Sequence, residues 1–354
     1  MIGLYIMIGA LALLATILLF GFVGCGFQPG VDSCGPSPSV DYPTAVIFTP
    51  DLVAYWRLGE PVTTPVPSTG GAARSVVADE NGDVHHGDYF KLDPVSAPDD
   101  LRHSPATIGT LILGGTPGLL EIGDQVNSPC INTDGGYVRV PWADELNPPQ
   151  FTFEAWVQPE TFLDPKYFYC LAESTGPQGL GPKQTGWGLY LGPSDPNNPD
   201  PAGPLLWQVW MGDSTQFIRV AIAKTDFPTN SSGDTISPLS LTYLALTFDG
   251  TENLRLFLYY PDANQDFYDA TLDSLQALTI ITSPINFYRN DASPSGQGDF
   301  FIGTGSNLTS NPFTQRLYPF KGKIQEVALY KRDLSDQSCP LETLAAHELS
   351  GGNL

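Results

Sequence analysis

Short runs of alternating apolar and polar residues recur along the chain after Ala45, and most end at Gly, Pro, Asn or Asp. In FTFEAWVQPE, residues 151–160, the two phenylalanines fall on one face of a strand and Trp156 falls on the other. Strands are predicted for LVAYWRL, YVRVP, FTFEAWVQ, KYFYCLAE, LLWQVWM, TQFIRVAIA, LTYLALTFDG, NLRLFLYY, DFFIGTG and GKIQEVALY. CPLETLAAHEL predicts a helix near the end. The sequence therefore predicts an all-β domain.

The net charge of the chain limits the classes of partner that it can bind. The 354 residues carry a formal net charge of −22, so the chain lacks the basic surface that replaces the counterions of a nucleic acid. The same charge disfavours docking on anionic lipid headgroups. An acidic surface suits cationic partners, calcium, or solubility outside the cytoplasm. We therefore exclude a nucleic-acid partner.

The N-terminal segment is long, apolar and uncharged. As a helix, Gly3–Gly24 rises about 33 Å, which is enough to cross the hydrocarbon core of a bilayer. The first basic residue is Arg57, so the positive flank of a secretory signal is missing. We expect residues 1–25 to form a transmembrane anchor, with the remainder periplasmic or extracellular. FVGC resembles a lipobox, and acylation of Cys25 remains the alternative.

The residues after this segment predict a tether followed by one domain. Residues 26–44 are rich in Pro, Gly and Ser, which indicates an extended, semi-rigid linker. Residues 45–354 are long enough, at 42% hydrophobic composition overall, to bury a sizeable core.

Seven fragments, in order, resemble laminin-G-like and concanavalin-A-like jelly rolls, a superfamily of lectins and glucanases. They are DLVAYWRLGE, VADENGDVHHGDY, GGYVRVP, FTFEAWVQPE, YLALTFDGTENLRLFLY, FFIGTGS and PFKGKIQEVALYKRDLS. The resemblance runs from about Asp51 to Gly351 and implies a jelly-roll β-sandwich. Several irregular segments are long for such a sandwich, so we expect loop insertions, where interaction surfaces commonly lie. This fold alone does not define a function.

The tryptophans divide into expected core residues and candidate sugar-binding residues. In the resembling family the tryptophan of the FTFEAWVQP strand is structural and packed within the sandwich, so Trp156 is expected to be core and not a sugar platform or a glycosidase subsite. Trp56 is expected to be core as well. Trp187, Trp207 and Trp210 are candidates for stacking on sugars, but burial in the core is the favoured interpretation.

The five cysteines show no C-x-x-C spacing of a zinc or redox site. Apart from Cys25, their even number in a translocated domain predicts two disulfides, with buried thiols as the alternative. The first and last strands of the resembling jelly rolls tend to lie side by side. This resemblance implies a Cys34–Cys339 bridge, with Cys130–Cys170 as the second pair.

No catalytic motif is present. The glucanases of this fold place two carboxylates on one strand as E-x-D-x-x-E or E-x-D-x-E, but neither Glu154 nor Glu326 begins such a run. G-x-S-x-G, H-E-x-x-H and P-loop sequences are also missing. We therefore expect no enzymatic activity.

One loop is a candidate calcium site. Asp79, Asn81 and Asp83 alternate around Gly82 and offer three oxygen ligands on a tight loop. The twelfth position holds Phe90 where an EF-hand has glutamate. A turn held by Asp and Asn side-chain hydrogen bonds is the alternative.

Two functions remain open from the sequence. The first is a non-catalytic accessory subunit of a larger membrane complex, respiratory or photosynthetic, to which residues 1–25 supply anchorage. The second is a carbohydrate-binding or adhesion module, which only the fold resemblance implies. A glycoside hydrolase ranks third.

Overall fold

The computed structural model describes residues 42–59, 72–77, 82, 84–90, 110–116, 130–134, 136–176, 185–195, 203–222, 232, 237, 239–261, 279–280, 285–290, 298–306, 316–335, 343–344 and 347. Most of these residues lie in strands. A short helix, α1, spans Tyr42–Ile47, and a 3₁₀ turn spans Asp144–Leu146. Thr343, Leu344 and His347 are helical, within the helix that the sequence predicts near the end.

The described strands form two large antiparallel sheets and one small sheet. They are β1 (Leu52–Trp56), β2 (Ala72–Ala73), β3 (Gly87–Phe90), β4 (Thr110–Thr116), β5 (Cys130–Asp134), β6 (Tyr137–Val140), β7 (Phe151–Pro159), β8 (Tyr169–Thr175), β9 (Gly186–Pro193), β10 (Leu205–Gly212), β11 (Phe217–Ile222), β12 (Thr242–Phe248), β13 (Leu254–Tyr259), β14 (Thr279–Ile280), β15 (Phe300–Ile302), β16 (Gly305–Ser306), β17 (Arg316–Leu317) and β18 (Lys321–Tyr330).

The order of the strands defines two layers. The seven-stranded sheet has the order β13-β12-β7-β18-β5-β4, and β1 also pairs with β18. The nine-stranded sheet has the order β14-β11-β10-β9-β8-β15-β6-β3-β2, and β16 pairs with β17 alone. The inner faces of the two large sheets share one hydrophobic core, which is the arrangement of a β-sandwich. The all-β prediction is confirmed, and each of the ten predicted runs contains a strand.

Aromatic rings join the two sheets across the main core. Phe151 of β7 stacks on Trp187 of β9 at a centroid distance of 4.9 Å. Phe153 lies 6.4 Å from Phe300 of β15, and Trp56 stacks on Phe300 at 5.6 Å. These inward positions alternate along β7, as the sequence pattern predicts. Trp56 is therefore core, as predicted.

A second hydrophobic cluster lies on the outer face of the seven-stranded sheet. We call it the capped cluster; its buried members are Tyr42, Val46, Tyr55, Trp156, Tyr243, Ala245, Phe257, Ala328, Tyr330, Leu334 and Leu344. Trp156 is fully buried there, with ring centroids 5.3 Å from Tyr243 and 6.5 Å from Tyr42. The prediction that Trp156 is core is confirmed, but it packs beneath α1 and not between the sheets.

Helix α1 begins inside the predicted linker. Tyr42 is fully buried, so the folded part already includes residues before the predicted boundary at Ala45. The remaining predicted linker residues, 26–41, and the predicted anchor, residues 1–25, lie outside the described residues and stay predictions. Within the described part of the chain, no helix combines the length and the apolar character needed to cross a membrane.

The described cysteines lie in different sheets. Cys130 begins β5 in the seven-stranded sheet and Cys170 belongs to β8 in the nine-stranded sheet; both are buried, and they are not bonded to each other. Packed sheets lie about 10 Å apart, whereas the Cα atoms of a disulfide lie at most about 7 Å apart. The Cys130–Cys170 bridge is therefore not formed in this structure. Cys25, Cys34 and Cys339 lie outside the described residues.

Candidate functional site

The outer face of the nine-stranded sheet carries a half-exposed aromatic patch along β10 and β11. Because Val209 points into the main core, its neighbours Gln208 and Trp210 point outward. Trp210 lies opposite Arg219 in the β10–β11 register, and Phe217 shares the outward face of β11 with Arg219. Trp210, Phe217 and Arg219 are half-buried, and Gln208 is buried. We call these four residues the Trp210 patch.

Glycines on β9 give the neighbouring rings room to lie against the sheet. Gly188 pairs with Trp210, and a Cβ atom at Gly188 would lie 2.6 Å from the Tyr190 ring. Trp210 packs edge-on against Phe168 at a centroid distance of 5.9 Å and an angle of 87°. Its indole Nε1 is buried and has no hydrogen-bond partner in the described part of the chain. The ring is therefore fixed by packing while part of it stays exposed.

The guanidinium of Arg219 is fixed by hydrogen bonds from one of its nitrogens. Nη1 donates to the Ser194 carbonyl oxygen at 2.6 Å and to Gln208 Oε1 at 3.3 Å. Gln208 is fixed in turn, because its Nε2 donates to the Pro193 carbonyl oxygen at 2.6 Å. Burial lowers the pKa of Arg219, and the charge of Asp195 partly opposes this shift. The patch thus presents a preoriented cation beside an aromatic ring.

The three tryptophans that were candidates for sugar stacking differ in their exposure to solvent. Trp187 and Trp207 are buried in the main core, with exposures of 3% and 0%. Their role is therefore packing. Trp210 is the candidate that keeps an exposed part, because even-numbered positions of β10 face outward.

The other polar cluster of note is buried beneath α1, on the outer face of the seven-stranded sheet. Glu154 of β7 has no exposed surface. It accepts hydrogen bonds from Tyr243 Oη at 2.5 Å, from Tyr330 Oη at 2.6 Å and from His347 Nδ1 at 2.9 Å. Burial acts to raise the pKa of Glu154. The charge and hydrogen bond of His347, with the two tyrosine hydrogen bonds, outweigh burial and lower this pKa.

A threonine completes this cluster in an order that resembles a nucleophile–base–acid triad. His347 Nε2 lies 2.8 Å from Thr49 Oγ1. However, the Thr49 hydroxyl donates its proton to the Ala45 carbonyl oxygen at 2.9 Å, so it accepts from Nε2. The carboxylate of Glu154 can only accept, and both ring nitrogens of His347 are engaged. Because the threonine proton is directed at a backbone carbonyl and all three side chains are buried, this arrangement fastens α1 and the C-terminal helix to the sheet.

Glu326 is a second buried carboxyl on the same face. It lies in the β18 bulge between Gln325 and Ala328, with a left-handed φ of 55°. It accepts a hydrogen bond from Tyr55 and one from Arg57 Nε at 3.2 Å. Burial raises the pKa of Glu326 and outweighs the opposing effects of these partners. Neither Glu326 nor Glu154 has exposed surface, so no substrate reaches either carboxyl in this conformation.

The lowered pKa of Glu154 predicts an acid-dependent loss of stability. Because the folded state favours the ionised form, Glu154 stabilises the fold fully above its ordinary pKa of 4.5. This contribution declines as the pH falls through that value and is lost below the folded-state pKa. We expect the difference in unfolding free energy between the wild type and Glu154→Gln to shrink between pH 7 and pH 3. Urea titrations at several pH values measure it.

Comparing the wild type with Glu154→Gln separates the effect of Glu154 on the pH dependence of stability from the effect of Glu326. Glu326 has a raised pKa, so its effect has the opposite sign: it favours the folded state at low pH and this benefit is lost as the pH rises. Both proteins retain Glu326, so its effect cancels in the difference. A difference that stays constant from pH 7 to pH 3 would contradict the assigned ionisation of Glu154.

The candidate calcium ligands are outside the described part of the chain. Asp79, Asn81 and Asp83 cannot be placed, although Gly82 between them has a left-handed φ of 84°. In the part of the chain that the structure describes, no group of three or more His, Cys, Asp or Glu side chains could hold a metal ion. The calcium site stays a prediction.

Sequence comparison identifies no relatives of this chain. No family model matches it, and no curated protein matches it. Solved structures with similar coordinates include the binding domain of botulinum neurotoxin serotype C1, at 8% identity and a TM-score of 0.40 over 83% of this chain and 51% of that one. The binding domain of botulinum neurotoxin DC in complex with SialylT has 8% identity and a TM-score of 0.38, over 84% and 52%.

A smaller solved structure is similar over part of the chain. The Ruminococcus gnavus IT-sialidase CBM40 bound to α2,6-sialyllactose has 16% identity and a TM-score of 0.32, over 56% of this chain and 85% of that one. This chain spans about half the length of the two neurotoxin binding domains. At these identities and TM-scores the likeness does not assign a ligand or a partner to this chain.

Proposed function

We propose that this chain is a non-catalytic saccharide-binding protein and that the Trp210 patch holds the sugar. The observation that carries the proposal is a half-exposed tryptophan, fixed by packing on a rigid sheet, with a preoriented arginine and glutamine beside it. An aromatic ring with a few placed polar groups is the usual composition of a small-ligand site.

Each part of the patch has a role in this proposal. The exposed part of Trp210 offers an apolar surface against which the C–H groups of a sugar ring can pack. Arg219 offers N–H donors to sugar oxygens, since Nη1 alone is used by Ser194 and Gln208. Because both strands are hydrogen-bonded into the sheet, little conformational freedom is lost on binding.

The absence of catalysis is part of the proposal. The described carboxyls with displaced pKa values beneath α1, Glu154 and Glu326, are fully buried, and His347 is engaged at both ring nitrogens. A membrane-anchored, extracytoplasmic location is also proposed, from the apolar sequence of residues 1–25. The hypothesis of an accessory subunit of a membrane complex stays a prediction, because the described residues offer no observation that favours it.

The proposal predicts that Trp210→Ala weakens saccharide binding. A glycan array probed with the full-length protein in mild detergent identifies a ligand, and titration calorimetry measures its affinity. We expect Trp210→Ala to weaken binding at least about tenfold, or ~1.4 kcal/mol, because truncating a central aromatic anchor removes a binding hot spot.

Phe162→Ala is the matched control. Phe162 is 94% exposed and lies in the loop after β7, so its loss tests for non-specific apolar attraction. Its binding should equal that of the wild type. Equal affinity of Trp210→Ala and the wild type, with both proteins folded by circular dichroism, would exclude the Trp210 patch as the site.

A further inference from the structure

We infer that the ligand of the Trp210 patch is an acidic saccharide and that Arg219 binds its carboxylate. This inference rests on the proposed function and specifies the chemical class of the sugar.

Arg219 differs from four other arginines of the chain in having no ion pair with a described residue. No carboxylate oxygen of the described residues lies within 4.0 Å of a guanidinium nitrogen of Arg219. Four other arginines do have a carboxylate within this distance. Those four are Arg57 with Glu326, Arg139 with Asp299, Arg289 with Asp144, and Arg332 with Asp51. In a chain of net charge −22, an arginine on a sheet face that pairs with none of the described carboxylates requires an explanation.

The burial of Arg219 makes an anionic ligand favourable. The side chain is half-buried, and the loss of hydration lowers its pKa. A partly desolvated charge is stabilised when an opposite charge is placed against it. The oxygens of Ser194 and Gln208 that now contact it belong to a carbonyl and an amide, so they orient the guanidinium without neutralising it.

The geometry of the guanidinium fits a carboxylate in particular. Both hydrogen bonds that the Arg219 guanidinium makes to described residues use Nη1, which leaves the Nε and Nη2 donors without a partner among the described residues. These two nitrogens form one edge of the planar group, and a carboxylate accepts two parallel hydrogen bonds from such an edge. Trp210, directly across the strand pair, would contact the ring of the same sugar.

The overall negative charge does not prevent this pairing at physiological salt. The Debye length at 0.15 M ionic strength is about 8 Å, so distant carboxylates are largely screened. Asp195 is the described acidic residue whose charge acts on Arg219, and it competes with a ligand carboxylate. A contact at hydrogen-bond distance, partly shielded from solvent, is screened much less.

The test compares saccharides that differ in one charge. The full-length protein in mild detergent is titrated with tri-galacturonic acid and its methyl ester, and with α2,6-sialyllactose and lactose. We expect the acidic member of at least one pair to bind at least about tenfold more tightly, because it gains a charge-assisted bidentate contact. Arg219→Met should remove this preference and leave the weak binding of the neutral member unchanged.

Two further variants make the result specific. Arg219→Lys keeps the charge but loses the planar edge, so it should restore only part of the preference. Arg255→Met, on β13 of the other sheet, should bind as the wild type does. Thermal unfolding verifies that each variant is folded.

The outcomes separate this inference from the proposed function. Equal binding of acidic and neutral members, still sensitive to Trp210→Ala, would overturn the acidic class and retain saccharide binding. An acidic preference that survives Arg219→Met would overturn the role of Arg219. Failure of every array saccharide to bind would overturn both proposals.

Discussion

Glu154→Ala is expected to destabilise the folded domain by about 3–5 kcal/mol, because it removes one partner of the buried Glu154–His347 pair. The same change removes the acceptor for the Tyr243 and Tyr330 hydroxyls in the capped cluster. Each buried hydroxyl that loses its partner adds a desolvation cost. Urea unfolding at pH 7, followed by circular dichroism, measures the loss.

The matched control is Glu252→Ala, at an exposed glutamate in the turn between β12 and β13. Surface substitutions of this kind change stability by less than about 0.5 kcal/mol. Glu154→Gln should lie between the two, since an amide oxygen can still accept hydrogen bonds but carries no charge. A loss below about 1 kcal/mol for Glu154→Ala would show that the capped cluster does not depend on this carboxylate.

Gly186→Ala is expected to prevent folding. A Cβ atom at Gly186 would lie 1.7 Å from the backbone carbonyl oxygen of Ser174 in the adjacent strand, and this oxygen cannot move without separating β8 from β9. The residue also has a left-handed φ of 92°, which adds strain for any side chain. We expect a loss of at least about 4 kcal/mol, in the range where single substitutions unfold a domain. Soluble yield and thermal unfolding measure it.

Gly82→Ala separates the clash from the backbone strain. Gly82 has a similar φ of 84°, but no atom of the described residues lies within 4 Å of its Cβ position. The substitution should therefore cost only about 1 kcal/mol, from the left-handed conformation alone. Comparable losses for the two variants would show that β8 yields to the added methyl group and that the clash is relieved.

The sequence predicts those strands whose outward and inward positions differ in polarity. Along β7, Phe151 and Phe153 alternate with Thr152 and Glu154, and the structure places the phenylalanines inward. β9 was not predicted, because glycines occupy three of its outward positions. Two of them, Gly188 and Gly192, leave room for the rings of Tyr190 and Phe168. Helix α1 was not predicted, because its six residues are too few to show the 3.6-residue period of apolar side chains that indicates a helix.

The candidate sites were less predictable than the fold. Trp207 and Trp210 are three residues apart in β10, and only the register of the strand decides that one is core and the other half-exposed. The bond between Thr49 and His347 joins residues 298 positions apart, so no local pattern indicates it. Arg219 carried no sequence signal, since only the fold shows that none of the described carboxylates pairs with it.

The two outer faces of the sandwich carry different features. Tyr42, early in the described chain, and His347, its last described residue, both pack against the outer face of the seven-stranded sheet. The Trp210 patch lies on the outer face of the nine-stranded sheet, on the opposite side of the sandwich. The first and last described residues therefore lie on the face away from the proposed saccharide site, so a ligand bound at that site leaves both of them uncontacted.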